Sequence, residues 1–336
     1  MNTHLQFLDN IYSTPKFKNL SKLNTLKIGT DCSGIEAPII ALDYLGVKYE
    51  HVFSCDNDKD VMITNSHNFM PNKSFNDIFD RNISDVPKLD IYVCGFPCQS
   101  FSTGGKREGF YKPSNEGIIF FKCLEVIKKC NPQVFILENV KGLLTHEKGH
   151  TFEIIKDYLI KLKDYTIYHK VLRTSDYGIP HKRDRIFIIG IRNDKHKRRF
   201  SFPTPINKGV TLLSLLETRK KSKIRILHDN KLDIVSAKTV KCNIKPVENW
   251  IINLNASLNY ATTCKDISPS LMTTCNMLYL TKYNRFLTGR ECLRLQGFPD
   301  EFVIAISHNK ICKQAGNSMS VNVLCYLFME IFNCMR

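Results

Sequence analysis

Cys98 carries a nucleophilic side chain and lies just beyond the predicted end of a buried strand. The run at 91–93 is apolar and β-prone, and Gly95 ends it. Pro97 rigidifies the backbone directly before the cysteine, and a polar, glycine-containing stretch follows. Because α/β proteins place nucleophiles on loops at the carboxyl ends of strands, Cys98 is a candidate thiolate nucleophile. The alternative is a packing role, since free cysteines are commonly buried and inert.

Glu138 is the second candidate, because it directly follows the apolar strand sequence V-F-I-L at 134–137. We therefore expect Glu138 to lie at the same edge of the sheet as Cys98. Burial there would raise the pKa of the carboxyl group, which suits an acid in catalysis. The alternative is a solvated strand end or the first turn of a helix.

Arg183 and Arg185 alternate at the start of the apolar strand sequence R-I-F-I-I-G-I. The side-chain period of two in a strand predicts that both point to one face. Two guanidinium groups on one face suit binding of a phosphate or a carbonyl oxygen. A solvated strand edge fits the same pattern.

The stretch from Leu26 to Asp56 has the order of a nucleotide-binding unit. A strand leads to the turn D-C-S-G-I-E, a helix at Ala37–Leu45 and a second strand, after which Asp56 lies where such units place a carboxylate on a ribose. Gly34 is the single glycine of the turn, so an ordinary βαβ unit is an equal alternative.

Composition favours a polyanionic partner. The 336-residue chain has 48 Lys and Arg against 32 Asp and Glu, a net charge of +16. The alternative is that the basic residues merely keep the surface soluble.

No apolar run approaches a membrane span and no signal peptide opens the chain, so we expect an intracellular, non-secreted protein with reduced cysteines and no membrane partner. Since no C-x-x-C pair occurs, no structural metal is expected.

Alternating strand and helix patterns through residue 192 predict an α/β fold, and residues 1–24 form an arm without assigned chemistry. From Asn193 the alternation of strand and helix patterns is lost, beginning with the basic run K-H-K-R-R. Residues 201–280 are predicted to form an irregular, partly β region. Helical patterns return near 288 and in the apolar C-terminal segment.

Eight motifs follow one another along the chain: D-C-S-G-I-E, F-S-C-D, N-D-I, G-F-P-C-Q-S-F-S, F-I-L-E-N-V, R-D-R-I-F-I-I-G, R-E-C-L-R-L-Q-G-F-P and G-N-S-M-S-V. In their order and spacing, over roughly 28–192 and 284–324, the chain resembles the cytosine-C5 DNA methyltransferases. The resemblance implies a doubly wound, mostly parallel sheet that binds S-adenosylmethionine and yields S-adenosylhomocysteine. It divides the chain into a catalytic domain at 1–192 and 284–336 and a smaller, irregular, partly β target-recognition domain at 193–283.

The same resemblance assigns the catalytic roles. Cys98 would add to C6 of a cytosine flipped out of duplex DNA, and Glu138 would bind N3 and the exocyclic amine. Arg185, with Arg183 beside it, would steady O2 and a nearby phosphate. The loop at 99–105 would close over the flipped base.

For the cofactor, the resemblance places Asp56 on the ribose hydroxyls and Asp77 on the adenine amine. The full set of expected cofactor contacts is Cys32, Ser33, Gly34, Ile35, Asp56, Asn57, Asp77, Ile78, Pro97, Asn317 and Ser318. The chain departs from the family's usual pattern, because Cys32 and Asn57 replace aromatic residues and Glu36 and Ala37 replace glycines.

Two other functions remain open on the sequence. An RNA-methylating branch shares the catalytic core, although its usual Cys-Phe-Thr signature does not occur here. A catalytically silent DNA-binding protein is the other alternative, although all three of Cys98, Glu138 and Arg185 are retained. The expected partners are double-stranded DNA and, in a prokaryotic or viral setting, a cognate restriction endonuclease; we expect a monomer.

Overall fold

The computed structural model describes residues 3–18, 20–97, 118–206, 209–217, 229–245, 247–255, 257–273 and 277–336. The chain forms two compact units, each packed mainly within itself. The large-sheet unit comprises Ile11–Leu172, Asp184–Thr204 and Val323–Arg336, and the small-sheet unit comprises Met1–Asn10, Arg173–Arg183 and Pro205–Asn322.

The strands, in chain order, are β1 Leu26–Asp31, β2 Tyr49–Cys55, β3 Ser74–Phe75, β4 Ile91–Cys94, β5 Val134–Val140, β6 Tyr165–Arg173, β7 His181–Lys182, β8 Asp184–Arg192, β9 Trp250–Asn253, β10 Thr263–Lys265, β11 Ser268–Pro269, β12 Leu278–Leu280 and β13 Arg285–Phe286. The α-helices are α1 Phe7–Tyr12, α2 Pro15–Lys18, α3 Ala37–Tyr44, α4 Lys59–Asn68, α5 Ile119–Cys130, α6 His150–Ile160, α7 Leu212–Leu215, α8 Asp229–Lys241, α9 Gly289–Leu295, α10 His308–Asn317 and α11 Val321–Cys334.

The large sheet has the strand order β3-β2-β1-β4-β5-β8-β6. β1 pairs in parallel with β2 on one side and with β4 on the other, so the winding direction reverses between β1 and β4. β8 runs antiparallel to β5. The predicted doubly wound, mostly parallel sheet is confirmed, and in such sheets ligands bind outside the carboxyl ends of the strands at this reversal point.

Apolar periodicity explains how this sheet is covered. All four residues of β4 are buried, as expected for a strand with helices on both sides of its sheet. On α5, buried apolar residues recur at steps of three and four: Phe120, Cys123, Leu124 and Ile127. Asn131 then ends the helix with a left-handed conformation at φ 45°. The strand predicted at 134–137 follows as β5, and α5 fits the alternation of strands and helices predicted through residue 192.

The small-sheet unit contains the sheet β10-β9-β12-β13 and the two-stranded sheet β11-β7. A small core joins α8 to the four-stranded sheet through Ile234, Ile252 and Tyr279, among others. The prediction of a partly β region holds, but α8 was not predicted. Its five apolar side chains are interspersed with three Lys and two Asp and do not form a clear stripe along one face, so the local pattern is weak.

The two compact units are defined by which residues pack together. The division into catalytic and target-recognition domains at 193 and 284 concerns function and stays a prediction. The N-terminal residues, predicted as an arm, form the short helices α1 and α2. Among the described residues, no helix has the length and apolar character that a membrane crossing requires.

Candidate active site and cofactor pocket

Glu138 and Arg185 lie together at one edge of the large sheet. Glu138 is 7% exposed, and its Oε1 lies 3.2 Å from Nε of Arg185. The pairing of β5 with β8 places Arg185 opposite Val140 and Phe187 opposite Glu138, so Glu138 and Arg185 are diagonal neighbours on one face. The structure therefore brings together an acid and a cation that the sequence predicted separately.

Asn139 connects this edge to the segment that leads to Cys98. It is 1% exposed, and its Nδ2 donates a hydrogen bond of 3.2 Å to the backbone carbonyl of Phe96. Pro97 follows and is half-buried. Cys98 and the loop at 99–105 lie outside the described residues, so their predicted roles stay predictions. The positioning contact of Asn139 was missed because a buried amide near the end of a strand has no distinctive spacing.

Cys94 lies close to Cys98 in sequence but has a different environment. Its side chain is fully buried at the end of β4, and Cys123 Sγ lies 3.4 Å from Cys94 Sγ. Burial raises the pKa of the Cys94 thiol well above its ordinary value. A thiol that resists ionisation is a poor nucleophile, so Cys94 is excluded as the reactive cysteine of this stretch.

Arg183 binds backbone carbonyls within the small-sheet unit. It is 2% exposed, and its terminal nitrogens donate to the carbonyls of Leu271 at 2.8 Å and Ser318 at 2.7 Å. This guanidinium ties together segments that are distant in the chain. A catalytic role for Arg183 stays a prediction.

The turn after β1 is shaped by left-handed residues. Cys32, Gly34 and Glu36 have φ values of 45°, 50° and 57°. Such conformations strain side chains other than glycine, so Cys32 and Glu36 occupy backbone conformations that glycine would adopt without strain. The Gly34 amide donates to Asp56 Oδ2 at 2.9 Å, and a Cβ built on Gly34 would meet no atom within 4 Å. The turn is thus held beside the Asp56 carboxylate with open space above its glycine.

Glu36, at the end of this turn, is hydrogen-bonded to residues of β1 and β2. Its side chain is fully buried, and its Oε1 accepts hydrogen bonds from Thr30 at 2.8 Å and Ser54 at 2.6 Å. Burial raises the pKa of Glu36 to about 8, although the two hydroxyl donors oppose this shift. His51 lies 3.6 Å away, and burial lowers its pKa to about 4. Sequence reasoning noted Glu36 only as a departure from the family pattern and missed this role.

Asp31 at the end of β1 is held by a buried cation. Its carboxylate accepts two bonds from Arg81, of 2.5 and 2.6 Å, and one of 2.6 Å from the Tyr92 hydroxyl. The Arg81 guanidinium also lies about 5 Å from the rings of Phe53 and Phe75, at 5.2 and 5.3 Å. These interactions link the carboxyl end of β1 to side chains of β2, β3 and β4. Sequence reasoning did not identify this network.

The other expected cofactor residues lie in both units. In the large-sheet unit, Asn57 is exposed, Ile78 is buried, and Asp77 is half-buried with its Oδ1 accepting the Phe79 amide at 2.8 Å. In the small-sheet unit, Asn317 is exposed at the end of α10 and Ser318 is buried. In the part of the chain that the structure describes, no group of three or more His, Cys, Asp or Glu side chains is arranged to hold a metal.

Comparisons with known proteins agree with this geometry. The sequence profile of the C-5 cytosine-specific DNA methylases matches residues 31–333. The type II methyltransferase M.HaeII of Haemophilus aegyptius is 38% identical over 292 residues, which cover 87% of this chain and 88% of that protein. M.NgoBI of Neisseria gonorrhoeae is 38% identical over 281 residues, 82% of this chain and 83% of that protein.

A solved structure shows the same fold. The Entamoeba histolytica methyltransferase EhMeth superimposes with a TM-score of 0.69 at 15% identity, covering 94% of this chain and 100% of that one. The profile spans most of the chain, and the relatives match over more than four fifths of it. The chain belongs to the C-5 cytosine-specific DNA methylase family and is a DNA (cytosine-5-)-methyltransferase.

Proposed function

We propose that Cys98 is the nucleophile of this methyltransferase and that Glu138 and Arg185 bind the target cytosine. The observation that carries the proposal is the 3.2 Å contact between Glu138 and Arg185. The residue after Glu138, Asn139, donates a hydrogen bond to the backbone of Phe96, two residues before Cys98. An acid and a cation thereby lie at one edge of the sheet, together with the backbone segment that ends at Pro97, directly before Cys98.

The chemistry needs all three groups. C5 of cytosine is a weak nucleophile, and addition of the Cys98 thiolate to C6 places an electron pair on C5. Negative charge develops at N3 and O2 during this addition. Glu138 holds a proton at N3 and accepts from the exocyclic amine, while Arg185 donates to O2. After C5 gains the methyl group, loss of its proton to a base restores the double bond and expels the thiolate.

The residues of the turn and of β2 fit S-adenosylmethionine. The Asp56 carboxylate follows a strand end and is half-buried, which suits two ribose hydroxyls. The open space at Gly34 allows close approach of a ligand to the backbone. When bound, S-adenosylmethionine supplies a methyl group on a sulfonium sulfur. Asp56 and Gly34 would hold it, with Asp77 and Ile78 at the adenine and Ser33 at the methionine end; no metal takes part in this proposal.

The substrate in this proposal is a cytosine flipped out of double-stranded DNA, because C6 is otherwise inaccessible to a thiolate. The region at 193–283 would select the sequence, and the enzyme would act as a monomer. The type II names of the relatives support a companion restriction endonuclease.

Bisulfite sequencing of a plasmid from cells that express the chain tests the proposal. We expect unconverted cytosines at one short recurring motif with the wild-type chain and full conversion with Cys98→Ser. Retained protection in Cys98→Ser would remove Cys98 from the mechanism. A fully converted plasmid in both, together with transfer of labelled methyl groups to purified tRNA, would favour the RNA alternative.

A further inference from the structure

The basic run after β8 lies at the sheet edge opposite the proposed active site. β8 pairs with β5 so that Arg185 lies opposite Val140 and Ile191 opposite Val134. Six residues of extended strand separate these two ends, about 20 Å at 3.3–3.4 Å per residue. The segment beyond Arg192 therefore begins far from Glu138, within the same unit.

Backbone hydrogen bonds hold this segment in place. The amides of Lys197 and Arg198 donate to the carbonyl of Cys334 at 3.1 and 3.0 Å, and Cys334 Sγ donates to the carbonyl of Arg198 at 2.8 Å. The side chains of Lys197, Arg198 and Arg199 are exposed. The chain thus uses its backbone groups to bind the end of α11 and presents three consecutive cations to solvent.

An aromatic group lies beside these cations. The Tyr168 and His196 rings stack with centroids 6.0 Å apart, and their polar atoms lie 2.7 Å apart. Phe200 contacts Tyr168 at 4.9 Å and Phe202 at 5.1 Å. Lys170 on β6 lies 6.0 Å above the Phe202 ring. Packing of this kind orders the segment that carries the cations.

The local charge is strongly positive. Residues 192–199 contain five Lys and Arg and one acid, Asp194. Asp194 pairs with Arg192 at 2.7 Å and lies 3.7 Å from Lys195, so it does not neutralise the three exposed cations that follow. Two further carboxylates lie at this edge: Asp164, whose backbone carbonyl accepts the Asn193 amide, and Asp90, whose charge acts on Arg192. Together, Lys170, Lys195, Lys197, Arg198 and Arg199 form what we call the basic edge.

We propose that the basic edge is a second DNA-binding surface, which contacts backbone phosphates of duplex DNA outside the base pairs that enter the active site. Clustered Lys and Arg on an ordered surface are the electrostatic footprint of nucleic-acid binding. Duplex DNA is the favoured polyanion because it is the substrate of the family. Such a surface would keep the enzyme on long DNA between encounters with its target.

Fluorescence anisotropy with mixed-sequence DNA tests this surface. We expect Lys197→Ala/Arg198→Ala/Arg199→Ala to raise the Kd for a 40-base-pair duplex about tenfold and to lower the slope of log K against log salt by roughly 2–3, since each lost phosphate contact removes about 0.9. A 14-base-pair duplex should lose less affinity, because it has few phosphates left for a second surface. The backbone bonds to Cys334 survive in alanine variants, and unchanged binding of S-adenosylhomocysteine would verify folding.

Two controls make the test specific. Lys48→Ala/Lys88→Ala/Lys128→Ala removes the same charge from scattered exposed lysines, and Arg198→Lys/Arg199→Lys keeps the charge of the basic edge. Both should bind the 40-base-pair duplex within twofold of wild type. Equal losses in the two alanine triples would reduce the effect to net charge and overturn the proposal. A larger loss for single-stranded RNA than for duplex DNA would also overturn it, by assigning the surface to RNA.

Discussion

Arg185 Nε lies 3.2 Å from Glu138 Oε1 across two antiparallel strands. The two residues belong to motifs far apart in the chain, and they meet because β8 enters the sheet at the end where β5 leaves it. In the proposed function, the buried carboxyl group and the guanidinium would bind the atoms of the cytosine ring that take up charge.

Replacing Glu138 with Gln should lower the rate of methyl transfer by about 10²–10⁴-fold, because the amide cannot deliver a proton to N3. The Kd for duplex DNA should change little, since the amide keeps the size of the side chain. Single-turnover transfer of labelled methyl groups measures the rate. Glu153→Gln, at an exposed position of α6, is the matched control, and a Glu138→Gln rate within threefold of that control would exclude Glu138 as the acid.

Replacing Cys98 with Ser should abolish methyl transfer and leave the Kd for S-adenosylhomocysteine unchanged. A hydroxyl is far less ionised than a thiol at neutral pH, so the addition to C6 fails. Calorimetry with S-adenosylhomocysteine reports folding of the cofactor pocket independently of turnover. Cys242→Ser, at a half-buried cysteine of the small-sheet unit, should retain activity. Loss of activity in both variants would point to a general thiol effect instead.

Glu36 should make the stability of the protein fall with rising pH near neutrality. Its pKa rises from 4.5 to about 8 on folding, so at pH values between these the folded chain keeps a proton that the unfolded chain has lost. His51 acts in the opposite direction, but only between pH 4 and its ordinary 6.5. From pH 6.5 to 8 the Glu36 contribution therefore remains alone of the two.

The corresponding measurement is the Tm at pH 6.5 and pH 8 for wild type and Glu36→Gln. The wild-type Tm should drop between the two values, and the drop should shrink in Glu36→Gln, whose amide does not titrate. Glu125→Gln, at an exposed position of α5, should behave as wild type. Parallel pH profiles for wild type and Glu36→Gln would show that Glu36 is ionised throughout this range.

Replacing Arg81 with Leu should lower the free energy of unfolding by roughly 3–5 kcal/mol, because it leaves the Asp31 carboxylate buried without its cation. Adding Asp31→Asn to that variant should recover part of the loss, since no buried charge then remains. Urea unfolding of the two single variants and the double variant measures the coupling. Additive losses would contradict a direct interaction between the two side chains.

Much of the large-sheet unit follows from local sequence patterns. The apolar runs at 91–93 and 134–137 predicted β4 and β5, and α5 fits the alternation of strand and helix patterns expected through residue 192. α4 likewise begins after Asp58, whose side chain accepts the Asp60 amide at 2.9 Å. Such elements are predictable because burial on one face and capping act between neighbours in the chain. α8 was missed because its apolar side chains do not form a clear stripe along one face.

The chemical types of the candidate residues, and the family they indicate, were determined by the sequence alone, because residue identity and spacing are what a motif records. Only the tertiary structure decided which of them meet. The register of β8 against β5 joins Arg185 to Glu138, and the packing of three strand ends buries Glu36 and pairs Asp31 with Arg81. Arg183, two residues before Arg185, instead binds the carbonyls of Leu271 and Ser318. A strand period orders side chains along one strand, whereas pairing between strands and burial depend on residues that are distant in the chain.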